Sequence, residues 1–440
     1  MTSMLRPEGG GHRPSVPDSV SVPVPAGATV LIISDLHLRA STNTVTSRVE
    51  DVLVKRLAEL SAPAVVVLAG DIVELLGEPG LRPGAAFAAH PELATAIRRV
   101  AGTSGCRVVQ LVGNHDSDIA WDDAAADEVR AATDAELALT TDLLFDDPGG
   151  LRKVRVEHGN RFDPYNAFRD IRNPLDSPFG HHVVREVLPI VTQVGPGWLD
   201  GAMDLADPPD FPSFVGSRLA YRRLAGHLGW LLVPLLLLLV ALRLPLVLLV
   251  TNRLPGDVQE WLRRSAFLGV ALVLDVLVVA FLVAVLVRRS WQALRTLDLG
   301  ERGYGQNAAA RVEAAQLIRD GYAGLICGHS HRPELTAVGG AGAPGGGGNL
   351  ERNGFFANSG SGTPVVEAVA GRFGMPPVYL RYLQVSWVEI RCVPELEVGL
   401  IVAELSLPGG TRLERFLAKR PNPAPREPAL VATWPGSQWP

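Results

Sequence analysis

The chain has 440 residues, enough for one large domain with insertions or for two domains. Hydrophobic residues make up 47% and charged ones 20%, which excludes a disordered chain, and a net charge of −5 without a basic patch leaves no footprint for a nucleic-acid partner. Three scattered cysteines (Cys106, Cys327, Cys392) argue against a disulfide framework and for a reducing compartment. Residues 1–27 are rich in Pro, Gly and Ser, and are expected to be a disordered tail without a secretory signal.

From residue 28 onward, short apolar runs end in polar residues: "ATVLIISDLH" (28–37), "PAVVVLAGD" (63–71), "CRVVQLVGNHD" (106–116) and "AGLICGHSH" (323–331). Their Val, Ile and Leu content predicts strands buried on both faces. Between the first two, Val45, Val49, Val52, Leu53, Leu57 and Leu60 form a helical stripe, so a βαβ unit is expected. "LRKVRVEHG" (151–159) alternates like a half-exposed strand. Residues 339–348 ("GGAGAPGGGG") are expected to be a loop leading from the strand before His329 to "GFFANSGS" (354–361). Two further strands are expected after Gly374, and a disordered Pro-rich tail over 419–440.

The middle of the chain differs. Segments 228–250 and 266–287 are each apolar over a length that, as helix, spans a hydrocarbon core of about 30 Å. They predict a transmembrane hairpin (228–287) turning about a short loop, 251–265. A cap, 166–227, would precede it at the membrane surface. Arg243 and Asp275 would then lie at similar depth; a lone charge there costs about 2.5–3.5 kcal/mol, so a cross-hairpin ion pair is expected. Trp230, Trp261 and Trp291 sit near the segment ends, where interfacial aromatics belong. Arg218, Arg222, Arg223, Arg288, Arg289 and Arg295 flank the hairpin and outweigh the charge of its loop. That balance predicts an inner or plasma membrane protein with both chain ends cytoplasmic.

The polar strand ends form an ordered set: Asp35 and His37; Gly70 and Asp71; Gly113, Asn114, His115 and Asp116; His158 and Gly159; Gly328, His329 and His331. Each follows a strand, where α/β folds build their sites. A glycine before a ligand is expected to let the backbone turn sharply. Carboxylate and amide oxygens with imidazole nitrogens suit Mn²⁺, with Fe or Zn²⁺ as alternatives. The set predicts two divalent metal ions bridged by one carboxylate, Asp71. Metals held about 3.5–4 Å apart can bind a bridging hydroxide and clamp a phosphoryl group for in-line attack.

This ordered set resembles the motifs of the calcineurin-like metallophosphoesterases over roughly 28–165 and 315–370. "FFANSGS" also looks like the strand that follows the last motif there. The resemblance implies an α/β fold, a β-sandwich flanked by helices in four αββα layers, here split into 28–165 and 288–418 by the inserted cap and hairpin. It implies that Asp35, His37, Asp71 and His331 hold one metal and Asp71, Asn114, His158 and His329 the other. His115 would then act as general acid or stabilise developing charge rather than bind metal. Protein-phosphatase relatives carry an Asp three residues after the bridging Asp, followed by an Arg. Here "GDIVELL" puts Glu74 in that place, to orient His115 or to sit in the first turn of a helix, and lacks the Arg. "EHGNRFDPYNAF" and "GDIVE" look more like the bacterial branch that includes UDP-diacylglucosamine pyrophosphohydrolases, which have Arg where this chain has His115.

The expectation is therefore a membrane-anchored phosphoester hydrolase acting on a phosphoester, lipid-linked by preference, at the bilayer. Arg161, Arg169 and Arg172 are candidates to grip substrate phosphate, against the alternative of a solvated Arg face. His181 and His182 are expected to be surface or packing histidines. Two alternatives stand beside this reading: a soluble nucleotide or cyclic dinucleotide substrate with the hairpin as anchor, and a non-catalytic metal-binding membrane scaffold.

Overall fold

A computed structural model describes residues 16–148, 150–187, 189–190, 197, 201–205, 210–224, 237, 255–264, 267–295, 306–339, 353–393, 395–405, 409–420 and 425–435. The chain opens with β1 (Ser19–Val24), β2 (Thr29–Ile33), α1 (Thr44–Ala58), β3 (Ala64–Ala69), α2 (Pro83–Ala89), α3 (Pro91–Ala101) and β4 (Cys106–Leu111). Next come α4 (Asp123–Thr133), β5 (Glu136–Ala138), β6 (Thr140–Asp147) and β7 (Gly150–Glu157). The helices α5 (Phe179–His182), α6 (Phe211–Arg218), α7 (Gly256–Arg264) and α8 (Phe267–Arg295) occupy the middle. The last part holds α9 (Gln306–Arg319), β8 (Tyr322–Cys327), β9 (Glu334–Gly339), β10 (Asn353–Asn358), β11 (Pro364–Val369), β12 (Val378–Cys392), β13 (Leu396–Leu405), α10 (Arg412–Leu417) and β14 (Arg426–Trp434).

Two mixed sheets carry the fold, which is α/β. One runs in the order β1-β6-β7-β8-β10-β9; the other runs β14-β13-β12-β2-β3-β4-β5, with β11 beside β12. Strands β2, β3, β4 and β5 are parallel neighbours, and the helical stripe between β2 and β3 forms α1, capped by the side chain of Asn43. Because successive side chains point to opposite faces, each buried strand serves two cores. Val30, Ile32, Val65 and Val67 face the first sheet, meeting Leu143, Phe145, Val156 and Phe355. Leu31, Ile33, Val66 and Leu68 face the helices, meeting Leu53 and Leu57 of α1 and Ile97 of α3. On the outer face of the first sheet, Leu325 and Phe356 pack on Ala310 and Ala314 of α9. The layers thus run helix, sheet, sheet, helix.

Several expectations are corrected. The tail expected over 1–27 contains β1, which pairs with β6, and the tail expected over 419–440 contains β14, which pairs with β13. Both add edge strands whose alternate residues, such as Val22 and Trp434, are buried in the shared core. The strand before His329 does not lead straight into the Gly-rich segment: β9 intervenes as an antiparallel partner of β10, and residues 340–352 lie outside the described residues.

The two-helix transmembrane hairpin is not found among the described residues. Segment 228–250 lies outside them apart from Leu237, so the expected Arg243–Asp275 pair lies outside them as well. Of the expected segment 266–287, residues 267–287 do run as helix, inside the longer α8, while residues 256–264, expected as loop, form α7. Among residues with described side chains, no helix is long and apolar enough to cross a membrane. On α8, Val273, Leu277, Phe281, Leu282 and Leu286 are all more than half exposed. Arg218 of α6 is buried and its Nη1 lies 2.7 Å from Oε1 of the fully buried Glu414, which Arg222 also reaches at 3.0 Å. Truncating one partner of such a pair strands the other charge, so Arg218→Ala is expected to destabilise the fold by about 3–5 kcal/mol in denaturant titration.

Candidate metal centre

The loops following β2, β3, β4, β7 and β8 meet at one end of the two sheets. Backbone hydrogen bonds stitch them together: Asp35 N–H donates to Gly70 O (3.1 Å), His37 N–H to Asp71 O (3.0 Å) and Gly328 N–H to His158 O (2.9 Å). Of the seven non-glycine residues with positive φ among the described residues, five are predicted ligands: Asp35, His37, Asp71, His329 and His331, at φ 48–66°. That region is sparsely populated for residues with a Cβ, and such strain concentrates where a fold aims side chains at a site.

The preceding glycines have a different role from the one expected. Gly70 does turn at φ 88°, but Gly113 and Gly328 do not occupy the left-handed region. What they supply is room. A Cβ on Gly113 would overlap the carboxylate and backbone N of Asp71, and one on Gly328 would overlap Ser34 and the Asp35 carboxylate.

The ligand atoms fall into groups lying within 4.8 Å of one another: Asp35, His37 and His331; Asp71, His158 and His329; and His37, Asp71 and His115. His331 Nε2 is 3.2 Å from Asp35 Oδ1 and 3.4 Å from His37 Nε2. His158 Nε2 is 3.1 Å from Asp71 Oδ2 and 3.0 Å from Asn114 Oδ1. The geometry fits cations. His158 Nδ1 faces the Ala69 carbonyl at 3.0 Å and donates to it, which leaves the Nε2 lone pair directed at two more acceptor oxygens. His37 is held the same way, with Nδ1 on Glu74 Oε2 at 2.7 Å and Nε2 turned to the other ligands. Only a cation or an added proton reconciles such facing acceptors.

The electrostatics agree. Burial opposes ionisation of Asp71, but His158, His115 and His37 outweigh it and hold the carboxyl well below the usual range. Burial disfavours a charged His158, yet the Asp71 carboxylate raises its pKa to about 10. His115 is likewise raised to about 9, against burial, by Glu74 and Asp71. The negative potential that draws protons onto these rings would equally draw divalent cations. Asp116, buried beside Asp71, is pushed up to about 7, and its oxygens accept from Gly113 N–H (2.7 Å) and Ile72 N–H (2.9 Å), bracing two of the loops.

Glu74 does not lie on a helix. It is buried, and its two oxygens hold His37 Nδ1 and His115 Nδ1 (2.8 Å), so it orients both rings. The candidate arginines fare differently. Arg161 is tied to Glu157 (2.5 Å) and Glu313 (3.0 Å) and lies over the Phe162 ring. Arg172 binds Asp18 (2.6 Å) and the Val16 carbonyl (2.8 Å), so it clamps the segment leading into β1. Both guanidinium groups are already engaged. Arg169 is exposed, and its backbone N–H donates to Asp176.

Sequence reasoning missed other residues at the site. Asp163, in the quoted "EHGNRFDPYNAF", accepts from His329 Nε2 at 3.1 Å. Its signal was only its place five residues after His158. Such partners fix a ligating ring, so Asp163→Asn is expected to weaken cation affinity at the His329 position about 10–100-fold, measured by metal titration. His181 and His182 agree with the expected packing and surface places: His181 is buried edge-on against Phe168 (5.1 Å), and His182 is exposed and pairs with Glu186 (3.0 Å). Arg39 approaches Glu74 Oε2 (3.9 Å), and Asp204 pairs with Arg381 (2.9 Å) within electrostatic reach of His331 and His37.

No protein-family model matches the chain, and no curated protein matches it either.

Proposed function

We propose that the protein is a dimetal-dependent phosphoester hydrolase of the calcineurin-like metallophosphoesterase kind. The observation that carries the reading is the pair of ligand groups Asp35–His37–His331 and Asp71–His158–His329, linked by a third in which Asp71 meets His37 and His115, with His115 held by a buried carboxylate. Asp35, His37, Asp71 and His331 would hold one cation, and Asp71, Asn114, His158 and His329 the other, with Mn²⁺ preferred over Fe or Zn²⁺ for this oxygen and nitrogen set. When bound, the cations supply Lewis acidity toward phosphoryl oxygen and lower the pKa of water. The chain's own groups do the rest. Glu74 keeps His115 protonated on the face where a leaving group departs, and His115 gives that proton to the departing oxygen. Asp163 and Glu74 hold His329 and His37 in the orientation that presents their ligand nitrogens.

The substrate side of the proposal is a phosphoester at a lipid surface. Its support is the apolar surface of α8, whose exposed Val, Leu and Phe side chains suit contact with hydrocarbon, together with the apolar composition of 228–250. The full chain loaded with Mn²⁺ is expected to release phosphate or alcohol from a panel of phosphomonoesters and diesters, faster when the ester is presented in vesicles. A protein that binds two cations and hydrolyses none of the panel would be a metal-bound scaffold, and the hydrolase reading would fail. Replacing 228–287 by a short linker separates the two enzymatic readings, because unchanged turnover in vesicles would favour a soluble nucleotide or cyclic dinucleotide.

A further inference from the structure

A second surface stands apart from the metal centre. β11 runs away from Thr363, whose Oγ1 lies 3.5 Å from His331 Nδ1. Its six residues, at about 3.3 Å each, put its far end about 20 Å from the centre. There the chain turns through residues 372–374 and meets the end of α10: Gly371 bridges Ala418, and Lys419 N–H donates to the Ala370 carbonyl at 3.0 Å. The junction carries two phenyl rings on the outside. Phe373 is 75% exposed and Phe416 60%, with ring centroids 6.5 Å apart. Phe373 holds φ at 57°, a region bulky side chains avoid, and such strain persists where the flanks are pinned, as they are here. Around the rings, Arg372, Arg412, Arg415, Lys419 and Arg420 are all exposed. The acid in these two stretches, Glu414, is buried and engaged by Arg218 and Arg222. The turn also adjoins α8. A Cβ on Gly374 would come 3.3 Å from Arg288 Cζ, so α8 passes beside Phe373 at that residue. Just before Arg288 lie the exposed Leu286, Leu282 and Phe281. Apolar side chains that give way to cations and aromatic rings follow the order met on leaving hydrocarbon for headgroups.

We propose that this face docks the two-sheet domain on anionic phospholipid headgroups, with Phe373 and Phe416 seated among them and the surrounding cations on the lipid phosphates. The inference rests on the reading of a phosphoester at a lipid surface, and it assigns the side of the domain that meets that surface. Charge complementarity selects the occupant: a purely apolar partner would leave the ring of cations unanswered, and continuity with α8 places the rings where its apolar stretch ends.

The test is hydroxyl-radical footprinting of the full chain in nanodiscs of phosphatidylcholine, with or without phosphatidylglycerol. It compares wild type with the variant that combines Arg412→Gln, Arg415→Gln and Lys419→Gln, whose side chains are exposed. Three cations at about fivefold each favour the docked state by about 100-fold at an anionic surface. Oxidation of Phe373 and Phe416 in wild type should therefore fall about tenfold or more when phosphatidylglycerol is present, and should change less than about twofold in the triple variant. High salt, which cuts the screening length to about 3 Å, should restore the labelling. Equal labelling of the two rings in both lipids would overturn the inference, as would shielding that survives in the triple variant. Phe281 of α8 reports separately: if it is oxidised freely in every nanodisc, the lipid-surface reading itself fails, and the docking face with it. Neither outcome touches phosphoester turnover, which soluble esters measure independently.

Discussion

Asp71→Ala is expected to abolish the proposed turnover and to remove at least one of the two proposed cations. Asp71 belongs to two of the three ligand groups, and Oδ2 lies 3.1 Å from His158 Nε2 and 4.0 Å from His37 Nε2. Two dications a few ångströms apart would repel strongly, and under the proposed reading the shared carboxylate would be the charge that lets both remain. Its Oδ1 also accepts from His115 N–H at 2.7 Å, so the substitution releases the loop that presents His115 as well. Metal stoichiometry measured by mass spectrometry or titration checks the result directly. A variant that still binds two cations with wild-type affinity would remove Asp71 from the bridging place.

His115→Ala is expected to lower kcat by about 10²–10⁴-fold while leaving cation content intact, the range for loss of a positioned general acid. His115 shares a ligand group with His37 and Asp71, so metal content separates the two roles open to it. Loss of a cation in the variant would make His115 a ligand and leave the acid unassigned. The pH profile gives a second readout. Burial depresses the His115 pKa, but Glu74 and Asp71 outweigh it and raise it to about 9. A general acid works only while protonated, so activity should be retained below that pKa and fall as pH rises through it. Cations at the centre shift the whole limb toward lower pH, because their charge opposes protonation. Glu74→Gln removes the main supporting charge and should move the alkaline limb further down. It should also weaken cation binding, because Glu74 holds His37 too.

How much of this was legible in the sequence varied with how local each signal was. The parallel strands β2, β3 and β4 could be read because Val and Ile runs are buried on both faces and end abruptly in Ser-Asp, Gly-Asp or Gly-Asn. The edge strands β1 and β14 could not, because "SVSVPV" and "REPALVATW" carry prolines and mixed polarity that read as tail until a neighbouring strand pairs with them. Asp35, His37, Asp71, Asn114, His115, His158, His329 and His331 were all visible as polar residues at strand ends, and the fold brings all of them together. Arg172 looked available for phosphate because its partner, Asp18, is distant in the chain; Arg161 has a near partner in Glu157, and only the fold adds Glu313.

The sequence by itself determined which residue types stand at the mouths of which strands, since burial period and ligand chemistry are properties of a few consecutive residues. Only the tertiary structure decided which atoms meet: Glu74 with two imidazoles, Asp163 with His329, Arg218 with Glu414. Those contacts depend on side-chain direction and on the approach of segments as many as 196 residues apart, and no local pattern encodes either.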